Sequence, residues 1–269
     1  MVIARTHEFT DALEPITYML GISRFAVFDL KAAHTHVSAS LEHWRKQGEP
    51  FSIGGRLMVL GNIEYFLERP ADARVHLEEA LEIALEKRLL TLLPGTHSTL
   101  GIIYAEQGEL EAARQQLEGI LRSDLDLNRT PSPLNTDWLM TAISIASAEA
   151  RHARSARLAG VVLHAKGEAD HAEARMGRKL LERITRKSRR ILGKHWDPLV
   201  DEGRGVSIDT ILAMPEPRSN RTHQLLSPRE WQVIKLVDEG LSDLEIAAKL
   251  GLRPRTITRC CCRREPVMP

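Results

Sequence analysis

Apolar residues recur at helical rather than strand spacing along most of the chain. In the first half, Leu20-Gly21, Leu60-Gly61 and Leu100-Gly101 stand forty residues apart. Ala33, Ala73 and Ala113 keep the same phase, each followed four residues on by Val37, Leu77 and Leu117. This pattern predicts three helical hairpins. In each, a first helix carries Leu-Gly, where the glycine admits a neighbouring helix. A second helix carries Ala and the later apolar residue on one face. Turns are expected at Arg69-Pro70-Ala71-Asp72-Ala73 and at Gly108.

Leu-Gly followed twelve residues later by Ala resembles tetratricopeptide repeats, although the spacing exceeds the usual period of about 34 residues. Residues 1–125 are therefore expected to be a tetratricopeptide-like solenoid of hairpins, which buries a continuous core and leaves a concave binding surface. Residues 122–136 read as a loop, with two prolines and no sustained period. From Thr136 or Asp137 a helix is predicted through Ala150, then a second through Ser155–Gly160. These form a degenerate hairpin, out of phase with the first three, within a segment spanning 134–214.

Residues 176–195 predict a basic amphipathic helix. Leu180, Leu181, Ile184, Ile191 and Leu192 fall on its packing side; Arg178, Lys179, Arg183, Arg186, Lys187, Arg189 and Arg190 fall on its solvated side. That face reads either as an auxiliary phosphate-contacting surface or as a charged outer face closing the repeats. Ser207 is placed to cap a helix over Ile208–Met214. The Pro-rich, polar stretch 215–225 reads as an extended linker.

The sharpest local signals lie beyond it. Ser227-Pro228-Arg229-Glu230 is a capping box with Pro at the first helical position. Val233, Ile234 and Val237 follow on one face. Gly240 suits the left-handed position after a helix. Ser242-Asp243-Leu244-Glu245 is a second capping box, opening a helix with Ile246, Ala247 and Leu250 inward. After Gly251, Arg253-Pro254-Arg255-Thr256 begins a third helix. Short helices with tight turns make a helix-turn-helix, or a small bundle with no nucleic-acid role.

Leu226 to Glu230, Val233, Gly240-Leu241-Ser242, Glu245-Ile246-Ala247, Leu250 and Arg255-Thr256-Ile257 resemble the LuxR-type helix-turn-helix of bacterial transcription regulators. The resemblance implies that the helix starting near Pro254 is the recognition helix. Thr256, Thr258, Arg259 and Cys262 occupy positions that face phosphate or base edges in that family; Arg253 and Arg255 complete the candidate DNA-binding set. Arg253 departs from the family's usual capping Ser, and Cys260 from its usual His. The family pattern continues into a fourth helix, so 226–269 is expected to be a partial module. Residues Ala156–Met214 more loosely resemble the segment that precedes the DNA-binding domain in large LuxR-type regulators with an ATPase module. The chain is then expected to correspond to the C-terminal part of such a regulator.

Composition adds limits. Of 269 residues, 43% are hydrophobic and 27% charged, with a formal net charge of +1, so any DNA affinity must come from local charge. Few aromatics and abundant Leu, Ala, Glu and Arg favour an all-α protein. The three cysteines are consecutive, Cys260 to Cys262. Neighbours in such a run cannot pair without strain, which fits a reducing cytoplasm. Beside Arg259, Arg263 and Arg264 they read as redox-active thiols or, from the abrupt change of composition, as an altered tail. No signal peptide or membrane span is legible. No phosphate-binding loop, H-E-x-x-H or G-x-S-x-G motif occurs, so neither enzyme chemistry nor a cofactor is expected. His34, His36, His76 and His97 are dispersed, and His164 with His171 lacks further ligands, so no metal site is expected.

The expectation is a DNA-binding transcription regulator. Its repeats bind a protein or small effector, and 226–262 contacts DNA. The competing expectation is an interaction scaffold of helical repeats with a vestigial, non-binding helix-turn-helix.

Overall fold

The computed structural model describes residues 4–127, 137–166 and 172–214, together with Ala247, Lys249 and Leu250. Two compact units divide the chain, Met1–Glu216 and Pro217–Pro269. The described residues are all-α, with no strand among them.

In the first unit the helices pair in sequence. Helix α1 (Ala4–Ala26) packs on α2 (Leu30–Gln47), α3 (Pro50–Phe66) on α4 (Pro70–Glu86), and α5 (Leu93–Gln107) on α6 (Leu110–Asp126). A fourth pair follows, α7 (Asp137–Ala148) and α8 (His152–Lys166). Helix α3 neighbours α5 and α5 neighbours α7; Thr99 ties α5 to α3 through Asn62 at 2.7 Å, and Ser98 ties it to the Asp137 carbonyl at 3.0 Å.

The Leu-Gly phase explains the pairing. A Cβ on Gly21 would meet Val37 at 2.7 Å, and one on Gly61 would meet Leu77 at 2.5 Å. In both hairpins the glycine lies under the apolar residue sixteen positions later. In the third, Gly101 faces Gln116, next to Leu117, and Thr141 of α7. Ala33, Ala73 and Ala113 are fully buried. Leu60 and Leu100 are buried as well, but Leu20 is 44% exposed, because no described helix covers its face of α1.

The hairpin turns repeat with the same period. Phe28, Glu68 and Gly108 all take positive φ, and so do Gly48 and Arg88 between hairpins. Each of the first three sits in a Schellman motif, seen in Asp29 N–H to Arg24 O, Arg69 N–H to Glu64 O and Glu109 N–H to Tyr104 O, all at 2.9 Å. The Gly108 turn lies where the sequence puts it. The second turn is made by Glu68 in the left-handed region, one residue before the expected stretch.

Two predicted boundaries move. Residues 122–126 belong to α6 rather than to a loop; Arg122 pairs with Glu118 and Ser123 donates to the Gly119 carbonyl, which carries the helix one turn further. Helix α7 ends at Ala148, because Ala150 adopts φ 60° and closes the turn with Arg151 N–H on Ala146 O.

After the hairpins come α9 (Ala172–Leu192), α10 (Trp196–Gly203) and α11 (Ile208–Ala213). Ser207 caps α11 through the Thr210 N–H at 3.2 Å. Helix α10 crosses α8 with backbone against backbone: a Cβ on Gly160 would collide with the Val200 carbonyl, and one on Gly203 with the Arg157 carbonyl. Leu199 and Val200 enter the same core as Leu158 and Ala159, alongside Leu139 and Ile143 of α7.

Helix α9 turns across the hairpins. Met176 packs with the cluster formed by α1 to α4, Arg183 lies 4.1 Å over the Tyr65 ring, and Ser188 donates to Ser147 at 2.9 Å. These partners sit in or near the last turns of α3 and α7. Phe28, just after α1, and Glu106, near the end of α5, line the same side of α9.

Candidate nucleic-acid interface

In the second unit, Ala247, Lys249 and Leu250 are helical. Ala247 is buried, Leu250 half-buried and Lys249 exposed. At about 100° per residue, Ala247 and Leu250 share one side and Lys249 takes the other. That agrees with the expected inward placement of Ala247 and Leu250. The predicted contact residues Arg253, Arg255, Thr256, Thr258, Arg259 and Cys262 lie outside the described residues. So do both capping boxes, the linker and the cysteine run.

The second candidate is the basic helix α9. Lys179, Arg186, Lys187, Arg189 and Arg190 are exposed, as the pattern predicts. Arg183 is not: its side chain is 16% exposed, stacked on Tyr65 and 3.9 Å from Glu68. Arg178 is half-buried and Ile191 is 38% exposed, so the packing stripe is rotated from the expected one. The cause lies in α9's partners. It crosses the C-terminal ends of α1, α3, α5 and α7, each the negative pole of its helix dipole, roughly half an elementary charge. Cations on that side of α9 face favourable potential. The basic face is therefore partly a complement to four helix ends.

Around Arg183 the polar groups interlock. The Tyr65 hydroxyl donates to Glu106 at 2.8 Å. Burial pushes the Glu106 carboxyl up from its ordinary range, and burial with the nearby Glu106 pushes the Tyr65 phenol up as well. Nothing in the sequence hints at this cluster, because its members are brought together from three helices.

The histidines regroup similarly. His34 on α2 and His76 on α4 approach the two oxygens of Glu64 on α3, at 3.2 and 2.7 Å, and Glu64 is 3% exposed. The bond to Glu64 raises the His76 imidazole above its ordinary value. His97 is buried against Gln116 at 2.7 Å, and burial lowers it. Among the described residues no group of three or more His, Cys, Asp or Glu is arranged to hold a metal ion, and no helix is long and apolar enough to cross a membrane.

Comparison with known families supplies the deciding observation. Residues 224–259 match the family model of bacterial regulatory proteins of the luxR family. Residues 224–259 are thus similar to the helix-turn-helix domain of LuxR-type regulators. The LuxR-family segment covers the two capping boxes and the start of the predicted recognition helix, and it points to DNA binding and transcription regulation. Neither the curated proteins nor the solved structures gave a match.

Proposed function

We propose that the protein is a cytoplasmic, DNA-binding transcription regulator in which residues 226–262 contact the operator and the helical hairpins sense an effector or protein partner. The observation that carries this reading is the LuxR-family segment at 224–259. Arg255 and Arg259 supply charge for phosphate or guanine edges; Thr256 and Thr258 supply hydroxyls. Arg253 and Cys262 complete the contact set. The four hairpins of α1 to α8, read as tetratricopeptide-like, give a surface built from consecutive helices. Such surfaces suit recognition of another molecule.

With a formal net charge of +1, DNA affinity rests on this local cluster and is steeply salt-dependent. The test is selection of duplexes from a randomised pool by the full chain, followed by mobility shift across a salt series. Enrichment of a sequence motif, with affinity falling as salt rises, supports the regulator. If no duplex is retarded even at low salt, the reading fails and the hairpins stand as a protein-binding scaffold with a vestigial helix-turn-helix.

A further inference from the structure

Two adjoining cavities lie between α9 and the ends of the hairpins. The larger, about 640 Å³, is lined by Phe28 and Phe66 on the hairpin side and by cations of α9 on the other. The smaller, about 370 Å³, is lined by Glu106, Ser144 and Ser147. Arg183, Arg186 and Arg190 line both, which makes them the partition of one trough. Each volume falls in the usual range for small-molecule sites, roughly 300–1,000 Å³.

The chemistry of the walls is uneven. The larger cavity has five cations, Lys179, Arg183, Arg186, Arg189 and Arg190, against two carboxylates, Glu68 and Glu182. Glu182 pairs with Lys179 at 3.6 Å and Glu68 with Arg183 at 3.9 Å, so both carboxylates are already engaged. Arg186 acts electrostatically on the Glu106 carboxyl of the smaller cavity, while Arg189 and Arg190 make no ion pair within 4 Å among the described residues. Phe28 and Phe66 meet edge to face, centroids 5.3 Å apart, and give an apolar aromatic wall. In the smaller cavity the Ser144 hydroxyl is buried with no hydrogen-bond partner, on a residue 4% exposed. The Arg183 Nε is likewise without a partner. The helix ends and Glu106 account for part of the positive charge, but not for an orphan hydroxyl or an aromatic wall beside an excess of guanidinium groups. A buried polar group left unpaired costs about 1–3 kcal/mol, so a molecule that pairs it gains by entering.

We infer that this trough is a binding site for a small anionic molecule with a flat apolar body, its acidic group held by Arg186 and Arg190 and reaching the Ser144 hydroxyl while its body lies on Phe28 and Phe66. This gives a chemical class to the effector of the sensor proposed above and rests on that reading; the site itself lies wholly within Met1–Glu216 and does not need DNA to be tested. Planar guanidinium groups donate to phosphate, sulfonate or carboxylate oxygens alike, so the class is defined by charge and shape.

The probe is 1-anilinonaphthalene-8-sulfonate, titrated into the folded full chain, with uncharged N-phenyl-1-naphthylamine as the matched control. Saturable binding near one probe per chain is expected, with displacement by pyrophosphate. The R186Q/R190Q pair should weaken it at least tenfold, and S144A about threefold, with unchanged circular dichroism and, for S144A, a melting temperature no lower than that of wild type. Equal binding of the neutral probe, many probes per chain, or an unaffected R186Q/R190Q variant would overturn the site. Displacement by a short duplex but not by pyrophosphate would also overturn it, assigning these cations to nucleic acid. Failure of the mobility shift with intact probe binding would remove the regulator and leave the ligand site standing.

Discussion

Nδ1 of His76 lies 2.7 Å from Oε2 of Glu64, a carboxylate 3% exposed and shared with His34 from the opposite side. One buried acid thus ties three consecutive helices, α2, α3 and α4. Because Glu64 raises the His76 imidazole above 6.5, the folded state holds that proton more tightly than the unfolded chain does. Its stabilising effect is fully present below pH 6.5 and is lost as pH rises through the folded value. The melting temperature of wild type should therefore exceed that of His76→Gln most clearly in mildly acidic buffer. The gap should narrow as the pH is raised past neutrality. A gap independent of pH would show that the imidazole packs without titrating.

Two glycine substitutions should move stability in opposite directions. Gly55 lies within α3, and the space a Cβ would take there is open. Gly55→Ala should stabilise by about 1 kcal/mol through helix propensity. Gly160→Ala gains the same propensity but drives a methyl into the Val200 carbonyl. It should destabilise by roughly 1–3 kcal/mol, toward the upper end, since backbone rather than a side chain must move. Urea denaturation of both variants checks the pair.

Tyr65→Phe removes the hydroxyl that donates to Glu106. The ring and its stacking with Arg183 remain, so the loss is confined to one hydrogen bond. The variant should lose roughly 1–3 kcal/mol, because a buried carboxyl is left short of a donor. The loss should shrink when the Glu106 carboxyl, already raised by burial, is protonated in acid. Chemical denaturation at neutral and acidic pH measures both effects.

Within the proposed DNA contact set, Arg255→Gln tests phosphate against base contact. A phosphate contact predicts uniform weakening across sequences and a salt dependence shallower by about one counterion. A guanine contact predicts a loss of about 1–3 kcal/mol at one operator position with relaxed specificity there. Binding of the selected duplex and its single-base variants separates the two.

The hairpins were legible because their glycines do steric work at fixed phase: Gly21 under Val37 and Gly61 under Leu77 leave a periodic trace in the sequence. The turns were less so. Phe28, Glu68 and Arg88 hold left-handed conformations that glycine favours, and nothing in those side chains announces a turn. Helix α9 was legible as a basic amphipathic helix, but its partners were not. Arg183 looks like any solvated arginine until Tyr65 and Glu68 arrive from more than a hundred residues earlier. The Glu64 and Glu106 clusters share that character. Periodicity reports which side of a helix is apolar; it carries no information about which distant polar groups will meet.

Helix α9 also has a mechanical consequence. Arrays of helical hairpins ordinarily behave like stacked cards, each sliding or fraying with only its neighbours to restrain it. Here a single rod is pinned near α1 by Met176, at Tyr65 by Arg183 and at Ser147 by Ser188. Shear between the first hairpin and the fourth must stretch or bend that rod. The rod thereby resists sliding between the hairpins it touches.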